Sequence, residues 1–168
     1  MHINIEFKAK CDRSNEVRRI LEGKGAYYRG RDHQIDIYFN VSNGRLKLRK
    51  GNIENSLIFY ERQNCVGAKQ SDVHLFRTDP NTLLEEMLGA ALGIKVIVDK
   101  LRDIYFIDNV KFNIDEVQNL GSFIEVEAID LEGTIGRAKL QHQCDYYFKL
   151  FKIKDKDLIA ESYSDLLL

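Results

Sequence analysis

The chain reads as an α+β protein: a closed, eight-stranded antiparallel β-barrel, a tunnel with a charged lumen and with its helices packed outside. Three observations predict this. About eight segments alternate apolar and polar residues with the period of two that a strand imposes, and nearly all are joined by a hairpin turn or a single helix. Antiparallel strands in that number can close on themselves and so remove exposed edges. The helical segments are rich in Leu, Ile, Tyr and Phe and must bury their stripes somewhere. If they pack on the outside of the barrel, the polar faces of the strands line its interior.

Taken in order, His2–Lys10 places Ile3, Ile5, Phe7 and Ala9 on one face and His2, Asn4, Glu6, Lys8 and Lys10 on the other. Asp12 offers a cap for a short helix through Val17, Ile20 and Leu21, with Gly25 to end it. A strand is predicted over Ile35–Val41, and Ser42-Asn43-Gly44 has the chemistry of a hairpin turn. Arg45–Lys50 returns with Leu46 and Leu48 opposite Arg45, Lys47 and Arg49. Ser56–Arg62 is a more apolar strand ending in Glu61 and Arg62, and Val73–Arg77 is a short one. Asp79-Pro80 suits the start of a helix whose Leu83, Leu84, Met87, Leu88, Ala91 and Leu92 are expected in the core, with Gly93 as its stop. Lys95–Ile107 puts Lys100 and Arg102 on one face and turns at Asp108-Asn109 into Val110–Val117. After Leu120-Gly121 the strand Phe123–Ala128 closes the series. Helical spacing resumes over Thr134–Phe151, with Ile135, Ala138, Cys144, Tyr147, Leu150 and Phe151 as the buried positions, and a short helix is expected over Glu161–Leu168.

A chain of 168 residues, 44% hydrophobic and 30% charged, fits one domain spanning 1–168 with a real core. Its net charge of -1, with no basic run, excludes a general nucleic-acid or membrane-surface binder. Cys11, Cys65 and Cys144 lack metal-ligand spacing and read as reduced packing thiols of a cytoplasmic protein. No apolar run approaches the roughly 20 residues that span a bilayer.

The charged faces carry the chemistry. In Asn113–Glu127, Asp115 shares a face with Lys111 and Asn113, and Glu125 and Glu127 share one with Phe123. Neighbouring carboxylates of this kind are tolerated in open water or where cations sit between them. Arg45, Lys47 and Arg49 fit either an exposed edge guarded by charge or one wall of a lumen. Turned inwards, Lys8, Arg45, Lys47, Arg49, Lys100 and Arg102, with Arg62 and Arg77 as further candidates, outnumber Glu6, Glu61, Asp115, Glu125 and Glu127. Buried cations need partners, so such a lumen calls for an anion. A triphosphate of roughly four negative charges with one or two divalent metals fits that balance.

The motifs NIEFKAK, DIYF (Asp36–Phe39), GRLKLR (Gly44–Arg49), YER (Tyr60–Arg62), DKLRDIY (Asp99–Tyr105), IDEVQNLGSFIEVE and SYSDLLL follow one another along essentially the whole chain. In order and spacing they resemble the CYTH superfamily, the triphosphate tunnel metalloenzymes, which includes class IV adenylate cyclases and thiamine triphosphatases. GRLKLR and LGSFIEVE look most like the bacterial cyclase branch. The resemblance implies a triphosphate held by Lys8, Arg45, Lys47, Arg49, Arg62, Lys100 and Arg102, with Mg2+ or Mn2+ on Glu6, Asp115, Glu125 and Glu127 and Glu61 as a further candidate ligand. Glu6, Lys8, Lys100 and Arg102 are its implied catalytic residues. The implied reaction is conversion of ATP to cyclic AMP and pyrophosphate; hydrolysis of inorganic or organic triphosphates and a non-catalytic phosphate-binding module stand as alternatives, and a homodimer is an allowed assembly. The family's opening motif is E-x-E-x-K, whereas this chain reads Asn4-Ile5-Glu6-Phe7-Lys8, so one ligand position offers a neutral oxygen instead of a charge.

Overall fold

The computed structural model describes Met1–Leu168. Its strands are β1 (His2–Lys10), β2 (Tyr27–Phe39), β3 (Arg45–Lys50), β4 (Ser56–Glu61), β5 (Lys69–Arg77), β6 (Ile94–Ile107), β7 (Val110–Val117) and β8 (Gly121–Asp130). They form a closed barrel in the order β1-β5-β4-β3-β2-β6-β7-β8, antiparallel at every pairing, with β8 returning to β1. Helices α1 (Ser14–Gly23), α2 (Leu84–Leu92), α3 (Arg137–Leu150) and α4 (Tyr163–Leu166) complete the fold. None is long and apolar enough to cross a membrane.

The main core lies outside the barrel, as the apolar faces require. Ile5, Phe7 and Ala9 of β1, Phe112 and Ile114 of β7, and Ile124, Val126 and Ala128 of β8 pack against Val17 and Leu21 of α1 and Leu140, Cys144 and Tyr147 of α3, within a cluster of 18 buried residues. Phe112 meets the ring of Tyr147 edge-on at 4.6 Å. Burying such side chains stabilises by roughly 1.5–3 kcal/mol each, so this sandwich of sheet and helices is what obliges the opposite faces to turn inwards.

Several boundaries differ from expectation. Asp12 does not cap α1; Arg13 precedes that helix and its guanidinium donates to the carbonyls of Phe151 and Lys152. Strand β2 begins at Tyr27 instead of Ile35, with a bulge at Gly30, whose φ of +135° glycine adopts without strain. Strand β5 begins at Lys69 instead of Val73. The Asp79-Pro80 pair lies ahead of α2 without opening it. That helix has no buried residue: Leu84 and Leu88 rest on Ile37, Phe39 and Leu48, while Leu83 and Met87 are 69% and 64% exposed, so its stripe is only half core. In α3, Ala138 is exposed, and Asp130 receives the backbone N–H groups of Thr134, Ile135 and Gly136 at 3.0–3.2 Å as the chain enters the helix.

The C-terminal segment closes one end of the barrel. Tyr163 packs against Phe123 at 5.0 Å, and Leu166 and Leu167 pack against a cluster that contains Tyr38, Tyr60, Val98 and Val117. The lumen is therefore not charged throughout: its closed end has an apolar floor.

Candidate active site in the barrel lumen

Inward-facing positions enclose a cavity of about 620 Å³, the size of a small-molecule site. Strand alternation places Asn4, Glu6 and Lys8 (β1), Lys47 and Arg49 (β3), Lys100 and Arg102 (β6), Lys111 (β7), and Glu125 and Glu127 (β8) in its wall. Nine Lys and Arg side chains line it against four glutamates, so the wall is cationic.

Two aspartates stand behind that wall and hold the cations in place. Asp36 accepts from Arg49 Nε and Nη2 at 2.8 and 2.9 Å, from Lys100 at 2.8 Å and from Lys47 at 3.0 Å. Burial alone would raise its carboxyl, but Arg49, Lys100 and Lys47 hold it well below the usual range. Asp115, 0% exposed, accepts from Arg102 Nε and Nη2 at 2.7 and 2.6 Å and from the Tyr163 hydroxyl at 2.7 Å. Glu125 receives Arg102 at 2.8 Å and Lys8 at 3.2 Å, and Arg62 Nη1 donates to Glu6 at 2.6 Å. Lys8 also stands 3.8 Å from the Tyr163 ring centroid.

Burial, with like charges nearby, lowers the amines. Burial, with Arg102, Arg49 and Lys47 nearby, brings Lys100 down to about 7, Asp36 opposing. Burial, with Arg62 and Lys8, brings Lys69 down to about 8. Glu127 moves the other way: burial and the charges of Glu6 and Glu125 raise it, against the pull of Lys111.

Some buried polar atoms have no partner in the protein. Arg62 Nε and Nη2 are unmatched donors, and Asn4 Oδ1 and Asn113 Oδ1 are unmatched acceptors. An orphaned guanidinium edge suits an anion, and orphaned carbonyl oxygens beside a carboxylate suit a hard cation. A pocket of about 10 Å³ bordered by Glu6, Glu125 and Glu127 and by Lys8 and Arg62 is roughly the space of one small ion or water. The carboxylates do not converge on one point as they stand, because Arg62, Lys8 and Arg102 hold two of them.

The structure brings Glu6, Lys8, Lys47, Arg49, Arg62, Lys100, Arg102, Glu125 and Glu127 into one cavity, with His2 and Arg77 also in its lining. Three residues fall elsewhere. Glu61 is exposed on the outer face of β4, because Ser56, Ile58 and Tyr60 take the inward positions, so it is not placed to ligate a metal in the lumen. Asp115 does not line the cavity: it accepts from Arg102 and the Tyr163 hydroxyl, and so stands behind the wall. Arg45 sits at the margin, donating to Asp165 at 2.7 Å and to Asn64 at 3.0 Å. Glu54 and Tyr163 line the cavity and Asp36 stands behind it; none of the three was anticipated. For Asp36 the available signal was a lone acid among the apolar residues of DIYF.

A closed antiparallel barrel that keeps its core outside and its charge inside defines a tunnel protein with a cationic lumen. The chain belongs to the CYTH domain family, which it matches over residues 2–156. A Methanocaldococcus jannaschii protein named as a candidate adenylate cyclase is 25% identical over 178 residues, covering 98% of each chain. The PH1012 protein of Pyrococcus horikoshii has the same fold, with a TM-score of 0.78 at 24% identity over 99% of both chains. So has a Hippeastrum protein, HpAC1, described as a candidate adenylyl cyclase with a dominant triphosphatase activity: its TM-score is 0.63 at 12% identity, over 99% of this chain and 94% of that one.

Proposed function

We propose that this protein is a metal-dependent enzyme that binds a triphosphate in its tunnel and converts ATP to cyclic AMP and pyrophosphate. The observation that carries the triphosphate reading is the cationic wall with the two unmatched nitrogens of Arg62 buried in it. In phosphoryl transfer the protein contributes mainly position and charge. Lys8, Arg62, Lys47, Arg49, Lys100 and Arg102 neutralise the phosphate oxygens, and Asp36 and Asp115 fix the directions of these cations. Glu6, Glu125 and Glu127, with Asn4 Oδ1 in the same cavity, are the oxygen donors that would hold Mg2+ or Mn2+. The metal supplies Lewis-acid polarisation of phosphate oxygens when bound. Lys100, donating to Asp36 at 2.8 Å and lining the cavity, serves there as a cation that neutralises charge on the phosphate oxygens.

The cyclase reading draws support from the name of the Methanocaldococcus jannaschii relative. Triphosphate hydrolysis is the second reading, favoured by the activity described for the Hippeastrum protein of the same fold. The test is incubation of purified protein with ATP, thiamine triphosphate and tripolyphosphate, each with Mg2+ and with Mn2+, and identification of products. Cyclic AMP with pyrophosphate is the expected result. Orthophosphate without cyclic AMP overturns the cyclase in favour of hydrolysis, and no turnover of any of the three leaves only a binding module.

A further inference from the structure

Glu54 belongs to no strand of the barrel, yet its side chain enters the cavity lining. It rides on the loop between β3 and β4, and that loop is tied down from below. Asp32, fully buried, accepts the backbone N–H groups of Asn52, Ile53 and Glu54 at 2.6, 2.9 and 3.0 Å. Asn55 bonds Gly51 in both directions, at 3.1 and 3.0 Å. A Cβ at position 51 would fall 2.7 Å from the Asp32 oxygens, so only glycine lets the loop sit this close.

From this base Glu54 Oε2 accepts from Arg49 Nη1 at 2.9 Å and Gln34 Nε2 at 3.1 Å, and Oε1 accepts from Lys111 Nζ. Arg49 is on β3 and Lys111 on β7, with β2 and β6 between them, so the carboxylate spans this arc of the wall and faces the lumen. At this level the lining also changes character. On β8 the inward series runs Glu125, Glu127, Ile129, and Ile53 and Phe106 join it toward the mouth. Arg29 and Arg77 stand beyond, exposed at the rim, where water screens them.

We propose that Glu54 is a specificity residue: by occupying Lys111 and the outer nitrogen of Arg49, it ends the anion-binding section of the tunnel. The site then selects a chain of three phosphates ending in an uncharged organic group over one that continues as further phosphate. This rests on the triphosphate reading above. A fourth phosphate would face a fixed carboxylate, whereas an organic group would meet the apolar collar.

The test is calorimetric binding of ATP, tripolyphosphate and tetrapolyphosphate, without metal, to the wild type and to Glu54→Gln. The substitution frees Lys111 and Arg49, so the affinity for tetrapolyphosphate relative to ATP should rise about tenfold or more. A gain equal for all three ligands, or none, overturns the proposal. A wild type that binds none of them refutes the triphosphate reading together with this inference; one that binds them but keeps its selectivity in Glu54→Gln refutes this inference alone. Should Glu54→Gln fail to fold, Glu54→Asp carries the test. Its carboxylate is one methylene too short to bridge both cations, so a smaller gain for tetrapolyphosphate supports the proposal and no gain refutes it.

Discussion

Replacing Asp115 by asparagine leaves the size of the side chain unchanged and removes the charge that two nitrogens of Arg102 and the Tyr163 hydroxyl share. The amide keeps one acceptor oxygen but turns an N–H2 group toward a guanidinium that can only donate. Arg102 is 2% exposed and retains only Glu125, at 2.8 Å. Breaking a buried pair by removing one partner costs about 3–5 kcal/mol, and the remaining bond to Glu125 argues for the lower end. For a chain of 168 residues, where each kcal/mol shifts the melting temperature by roughly 2–4 °C, about 3 kcal/mol corresponds to a fall of roughly 6–12 °C. Thermal unfolding followed by circular dichroism measures this, and titration with Mn2+ in the same samples measures metal affinity. A support for the wall lowers the melting temperature and leaves Mn2+ affinity nearly unchanged below the transition. An Asp115→Asn protein that melts with the wild type but no longer binds Mn2+ would show that Asp115 is a ligand and that the pairing with Arg102 is dispensable.

Arg62→Ala should weaken tripolyphosphate binding by ~2 kcal/mol, about thirtyfold, because the orphaned nitrogens of Arg62 are charged donors in a buried wall; calorimetry showing less than a threefold loss refutes that role. Lys100 and Lys69 lie near 7 and 8, well under the ordinary 10.5, and an anionic ligand in the cavity, which Lys100 lines, favours the charged form of Lys100. Binding should therefore take up protons at pH 8 and weaken as pH rises from 7 to 9, which titration in two buffers of different ionisation enthalpy detects; absence of uptake contradicts it. The sign for stability is opposite. Between about 7 and 10.5 the unfolded chain holds these protons more tightly, so the ligand-free fold gains stability as pH rises through that window, measurable as an increasing melting temperature. Glu127→Gln should lower Mn2+ affinity by about tenfold or more, whereas Glu61→Gln on the outer face should leave Mn2+ and tripolyphosphate binding unchanged; the reverse pattern in calorimetry would invert the assignment of strand faces.

What could be read from the residues was the alternation, wherever one face is plainly apolar. Ile5, Phe7 and Ala9 against Glu6 and Lys8, or Leu46 and Leu48 against Lys47 and Arg49, announce both strand and orientation. The reading failed where alternation is weak. Tyr27–Gln34 is polar on both faces and broken by a bulge, so the first half of β2 carried no strand signal. Ser56–Glu61 is largely apolar on both faces, which left the direction of Glu61 undetermined. Asp115 was placed on the right strand and face, but its role depends on whether Arg102 or a metal reaches it first, and cross-strand register decides that. Glu54 enters from a loop, where no period marks it. Leu83 and Met87 have helical spacing, yet α2 covers only a small patch on β2 and β3.

Because folding uses the outer face of each strand and the candidate chemistry uses the inner one, each strand is read in steps of two. An insertion of a single residue in β1 or β8 would exchange the two texts at once, sending Phe7 or Val126 into the lumen and Lys8 or Glu125 into the packed layer under α3. Point substitutions on the inner face leave the alternation intact, whatever they cost in stability. Such a scaffold can acquire a new substrate one lumen residue at a time, while changes of length are confined to loops such as the one that carries Glu54.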